Sequence, residues 1–169
     1  MRTSDDTTRV QDALIGASPR WDASWLMREA YKMGSRADAW REVISGLTWA
    51  LGSSELRYTT VTVDGFDDDA AVRVRIFTDD HLVMVDVAGD QSKRDTSTTV
   101  LPLSRLRQLR LLRTPSLAAS EPGYATPRRM RLALTFEGVP EAIEIGDEQA
   151  MPSSSALADY SETLISKLR

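Results

Sequence analysis

Ser104-Arg105-Leu106-Arg107-Gln108-Leu109-Arg110-Leu111-Leu112-Arg113 is the stretch whose conformation decides the fold. Leu106, Leu109 and Leu112 recur every third residue, as on one side of a helix, while Arg107, Leu109, Leu111 and Arg113 alternate, as on a strand. A strand here continues an unbroken run of strands, whereas a helix splits that run in two. The reading adopted is a short turn followed by a strand.

Working upstream, Thr96 to Leu103 reads as a strand, preceded by a polar loop from Ala88 to Asp95. His81 to Val87 carries adjacent apolar residues, which predicts a strand buried on both faces. Ala70 to Thr78 sets Val72, Val74 and Ile76 against Arg73, Arg75 and Phe77, and Leu56 to Val63 has the Thr, Val and Tyr content of a strand. Asp79-Asp80 and Asp64-Gly65 mark the turns between these strands. Downstream, Thr114 to Pro127 holds three prolines and a glycine, which predicts a mobile loop. Met130, Leu132, Leu134 and Phe136 then alternate with polar or small residues, and a turn at Gly138 to Pro140 leads to a short strand, Ala142 to Ile145. After Ser153 to Ser155 comes a helix with Leu157, Tyr160, Leu164 and Leu168 on its inner face.

Before the strands the period is helical. Ser18-Pro19 is a helix-start pair, and that helix ends near Met33 before Gly34. Ser35, with Asp38 three residues on, opens a second helix whose Trp40, Ile44, Leu47 and Leu51 share a face, flanked by Val43, and Gly52 closes it. Residues 1–17 read as a flexible tail, 18–52 as an N-terminal helical extension, and 53–169 as one domain.

Apolar residues at 41% and charged residues at 27% are near the globular norm, so the chain carries enough apolar material for a core. It has no cysteine, which removes disulfides, thiol nucleophiles and thiolate metal sites. No apolar run is long enough to span a bilayer, and Met1 to Val10 lacks the apolar segment of a signal peptide, so the cytoplasm is the expected compartment. A net charge of −4 argues against a general nucleic-acid binder. That average hides a segregation: eight aspartates lie between Asp64 and Asp90 against Arg73 and Arg75, and seven arginines lie between Arg105 and Arg131 against Glu121.

Seven strands followed by one amphipathic helix, over residues 53–169, resembles the pleckstrin-homology-like superfold. Val100-Leu101-Pro102-Leu103-Ser104-Arg105-Leu106 is similar to the apolar–Pro–Leu–Ser approach to a middle strand in bacterial and GRAM-type members, although Tyr160 and Leu164 stand where many eukaryotic members place a tryptophan. The resemblance implies an α+β fold: a seven-stranded, partly open antiparallel barrel capped by the C-terminal helix, here with an N-terminal helical pair. If 104–113 is helical instead, the order is similar to type III secretion chaperones, which implies a regulatory dimer. Arg- and Ala-rich usage points to a bacterial or phage source. In lipid-binding members the loop between the first two strands is basic. Here it reads Asp64-Gly65-Phe66-Asp67-Asp68-Asp69 and repels anionic headgroups, so phosphoinositide is not the expected ligand.

No catalytic residue, metal ligand or cofactor is expected. His81 is the sole histidine; an enzyme would need it paired with Asp79 or Asp80, but no Gly-x-Ser-x-Gly nucleophile or phosphate-binding glycine loop accompanies it. The Asp64–Asp69 cluster lacks the alternating ligands and terminal Glu of a calcium loop. What remains is binding, by an adaptor that engages a protein partner or a second copy of itself. Arg105, Arg107, Arg110, Arg113, Arg128, Arg129 and Arg131 fall on two segments that the barrel lays antiparallel, and their guanidinium groups suit carboxylate or phosphate. The alternative for these arginines is an ordinary solvated sheet face. Nucleic acid ranks below a protein partner, because no aromatics alternate with the arginines. Trp49 lies off the apolar stripe of its helix and, with Trp25 or Trp21, is either covered by the first helix or a partner anchor.

Overall fold

Val61, Val74 and Val85 stand side by side on three neighbouring strands, 8%, 0% and 0% exposed, and the first half of the molecule is assembled on that row. The structure is a computed structural model in which residues 4–17, 35–64, 71–90, 93–113, 130–146 and 155–168 are described. Among them the order is α1 (Ser4–Ala17), α2 (Ser35–Leu51), β1 (Tyr58–Asp64), β2 (Ala71–Phe77), β3 (His81–Asp90), β4 (Lys93–Pro102), a single 3₁₀ turn (Leu103–Arg105), β5 (Leu106–Arg113), β6 (Arg131–Phe136), β7 (Ile143–Gly146) and α3 (Ser155–Lys167). The fold is α+β, with two antiparallel sheets ordered β1-β2-β3-β4 and β5-β6-β7. The chain divides into two compact units, Met1–Leu101 and Pro102–Arg169. The helix expected over Ser18–Met33 and the loop expected over Thr114–Pro127 lie outside the described residues.

In the first unit the alternation read from the sequence decides the faces. Val72, Val74 and Ile76 of β2 pair with Val87, Val85 and Val83 of β3, so their side chains share one side of the sheet. That side packs under Trp40, Val43, Ile44, Leu47 and Leu51 of α2, one continuous apolar cluster. At Gly46 the helix comes so close to β4 that an added Cβ would lie 2.7 Å from Thr98 Oγ1. On the opposite face Tyr58, Phe77 and Leu82 are buried in register, the Tyr58 and Phe77 rings 6.1 Å apart. Beside them Arg75 reaches Asp86 at 2.7 Å.

Residues 4–17 correct the expectation of a tail. They form a helix, because Val10, Leu14 and Ala17 recur at i, i+4 and i+7 and pack into the same cluster, Val10 at 0% and Leu14 at 1% exposure. Asp5 and Asp6 occupy the first turn, where the helix dipole favours negative charge. Arg9 then ties α1 to the end of α2: its guanidinium donates to the carbonyls of Gly52 and, at 2.7 Å, Ser54. These acceptors lie just beyond the last turn of α2, where a cation is favoured by the dipole. Gly52 itself adopts φ 55° and donates its N–H to Thr48 O at 3.1 Å, the left-handed cap read from the sequence. Replacing Gly52 with alanine is expected to destabilise the unit by about 1 kcal/mol, seen as a lower urea midpoint at unchanged slope.

A second correction concerns the polar loop expected over Ala88–Asp95. β3 extends to Asp90 and β4 begins at Lys93, so most of that segment is strand. Polarity misled here because an antiparallel ladder is held by main-chain N–H and C=O groups whatever the side chains carry.

In the second unit β6 is central. Leu132 and Leu134, both 0% exposed, face the same side as Leu106, Leu109 and Leu111 of β5 and Ile143 and Ile145 of β7. Gly138, at φ 80°, turns β6 toward β7 as expected. α3 buries Leu157, Tyr160 and Leu164 and packs on β5. Leu168, expected on that inner face, is 37% exposed because the helix stops at Lys167 and a terminal turn carries Leu168 off the stripe.

Candidate functional site

The decisive stretch forms a 3₁₀ turn followed by a strand, so the helical alternative, and the chaperone-like layout that depended on it, is not adopted. The register explains why both periods were present. Leu106 pairs with Phe136 and Gln108 with Thr135, so Arg107 is an extra residue on β5; likewise Leu111 pairs with Leu132 and Arg113 with Arg131, so Leu112 is extra. Each bulge sets two residues of β5 against one of β6. Leu106 and Leu109 therefore face the same side although they are three apart. A bulged strand has imitated a helix.

The bulges also gather the arginines. Strict alternation would have put Arg110 on the opposite side from Arg107 and Arg113. With two bulged positions, Arg107, Gln108, Arg110, Leu112 and Arg113 all belong to the side of the sheet facing away from Leu132 and Leu134. β6 adds Arg131, Ala133 and Thr135 to this outer face, and β7 adds Glu144 and Gly146. Arg107, Arg110, Leu112, Arg113, Arg131 and Glu144 are exposed there.

Two of the four arginines are engaged by carboxylates, Arg107 by Glu137 and Arg131 by Glu144. Both pairs are about half exposed, so each adds at most ~1 kcal/mol. Opposite Arg110 and Arg113 the register sets Ala133 and Arg131 rather than acids. Like charges directly across a sheet are destabilising, so the Arg113–Arg131 pairing carries a cost, offset in part by the Arg131–Glu144 ion pair. Gly146 shapes the arrangement: a Cβ there would come within 3.0 Å of Arg131 Cγ, so the missing side chain lets Arg131 lie across β7 toward Glu144.

Of the other residues singled out, Arg105 is exposed in the 3₁₀ turn, and its carbonyl accepts the Glu137 N–H at 2.9 Å. Arg129 and Trp25 lie outside the described residues, as do Arg128 and Trp21. Trp49 is 69% exposed and continues a solvent-facing stripe of α2 with Arg41 and Ser45. Leu112, Glu137, Glu144 and Gly146 were not identified from the sequence. The carboxylates lie 30 and 13 residues from their arginines, and no local pattern links them.

The histidine falls into a turn. Thr78 Oγ1 accepts the His81 and Asp80 N–H groups at 3.0 and 3.3 Å, while the Thr78 N–H donates to His81 O at 2.9 Å. Arg57 holds Asp79 in a two-pronged pair at 2.8 and 3.0 Å, so this carboxylate serves the turn rather than orienting the exposed imidazole. Of the Asp64–Asp69 cluster, residues 65–69 lie outside the described residues. Among the described residues no three acidic or histidine side chains converge as a metal site, and no helix is long and apolar enough to cross a membrane.

No protein-family model matches the chain, and no curated protein matches it. Among solved structures the chain is similar to that of a DUF1696 family protein with a pleckstrin-homology domain from Shewanella loihica, over 76% of this chain and 92% of that one, at 12% identity and a TM-score of 0.43.

Proposed function

We propose that the chain is a non-catalytic protein-interaction module whose working surface is the outer face of the β5-β6-β7 sheet, on a pleckstrin-homology-like arrangement of residues 53–169. The observation that carries this reading is the convergence of Arg107, Arg110, Arg113 and Arg131 on one side of β5 and β6 through two bulges. The guanidinium groups of Arg110 and Arg113, whose strand partners are Ala133 and Arg131, suit carboxylates presented by an acidic protein or by a second copy of this chain. Arg105 and Arg129 extend the basic segment in sequence. Trp49, with Trp25, is a second docking element by the usual preference of tryptophan for interface anchors. Phosphoinositide and nucleic acid are set aside for the charge and composition reasons given above.

The test is titration of a labelled polyglutamate peptide into the full chain and into the double variant Arg110→Glu/Arg113→Glu. Both positions are exposed, so the variant keeps its fold. Wild type is expected to bind with an affinity that falls as salt rises, and the variant to bind at least about tenfold more weakly. Equal binding by the two proteins would reduce the arginines to a solvated sheet face.

A further inference from the structure

We infer that the outer face of the β5-β6-β7 sheet takes a mixed acidic and apolar protein segment, with carboxylates on Arg110 and Arg113 and an apolar side chain on Leu112. This rests on the proposed role of that face and goes further in naming the partner's chemistry. The second bulge makes Leu112 the extra residue between Leu111 and Arg113, and so puts a leucine on a side of the strand otherwise occupied by arginine and glutamine. Leu112 is 39% exposed, with Arg110 and Arg113 two and one positions away on the same strand. Across from it lie Arg131 and Ala133, and beyond them Gly146 and Glu144.

That mixture selects among anions. A phosphate or sulfated polyanion satisfies the guanidinium groups but leaves Leu112 in water. Nucleic acid would add stacking, for which the face offers no aromatic ring among the described residues. An acidic segment with an apolar residue between its carboxylates satisfies both chemistries, with an apolar anchor inside a charged rim.

The experiment uses the full chain and three labelled peptides, built from Glu-Glu-Leu, Glu-Glu-Ser and Gln-Gln-Leu repeats, with fluorescence anisotropy as readout and inorganic phosphate as competitor. The Glu-Glu-Leu peptide is expected to bind about tenfold more tightly than Glu-Glu-Ser, and Gln-Gln-Leu not to bind. Leu112→Ser, and independently Leu112→Gln, should erase the preference for leucine while keeping the weaker Glu-Glu-Ser binding. Arg110→Glu/Arg113→Glu should remove both. Equal affinity of wild type for the two acidic peptides, or a leucine preference that survives both Leu112 variants, refutes the mixed partner and leaves the arginine reading standing. Acidic-peptide binding that ignores the charge reversal defeats the arginine reading itself. Release of both acidic peptides by phosphate at equal concentrations would assign the face to phosphate-bearing ligands and refute the inference.

Discussion

Replacing Leu14 with alanine is expected to lower the free energy of unfolding by about 2–5 kcal/mol. Leu14 is 1% exposed in the cluster that α1 forms with α2 and the first sheet, so truncation removes buried methyl groups and leaves a cavity. A change of that size is a large part of the 5–15 kcal/mol that typically stabilises a domain. A flexible tail would respond quite differently, since truncating a solvated leucine changes stability by less than about 0.5 kcal/mol. Chemical denaturation of Leu14→Ala beside Asp12→Ala, an exposed position two residues earlier on the same helix, separates the two cases. The aspartate variant should match wild type. A Leu14→Ala midpoint equal to wild type would mean that α1 contributes nothing to the core.

The second large effect is expected at Phe136, which is 2% exposed and pairs with Leu106 where β5 begins. Phe136→Ala should cost about 3–5 kcal/mol, with faster amide hydrogen exchange along β5 and β6. The matched measurement is Leu112→Ser. On a helix with Leu106, Leu109 and Leu112 turned inward, this substitution would empty a core position and cost about as much as other large-to-small core changes, 2–5 kcal/mol. On the bulged strand Leu112 belongs to the outer face, and its loss should change stability by less than about 0.5 kcal/mol. A large loss at Phe136 with little loss at Leu112 is the expected pattern; the reverse would reject the observed register.

Much of the architecture is legible residue by residue. Val72, Val74 and Ile76 alternate in the sequence and face one core in the structure, and Trp40, Ile44, Leu47 and Leu51 keep the face their spacing assigns. Gly52 and Gly138 mark a helix end and a strand turn, because the positive φ each adopts excludes most other residues. α1 was missed for a physical reason. Its three packing positions, Val10, Leu14 and Ala17, sit among threonines and aspartates of low helix propensity, and burial against α2 and β1 supplies the stability that local preference lacks.

The candidate site divides along the same line. Composition and order determined that arginines dominate 105–131, that no cysteine or second histidine is present, and that Asp79-Asp80 begins a turn. Those are properties of residues one at a time, or of near neighbours, which the chain carries into any conformation. Which arginines share a face was decided only by the tertiary structure, because facing depends on register, and each bulge exchanges the two sides of β5 for every residue beyond it. The same holds for the engagement of Arg107 by Glu137 and Arg131 by Glu144, and for the exposure of Leu112 beside Arg113. Each joins residues whose proximity is created by strand pairing and is absent from any window of the sequence.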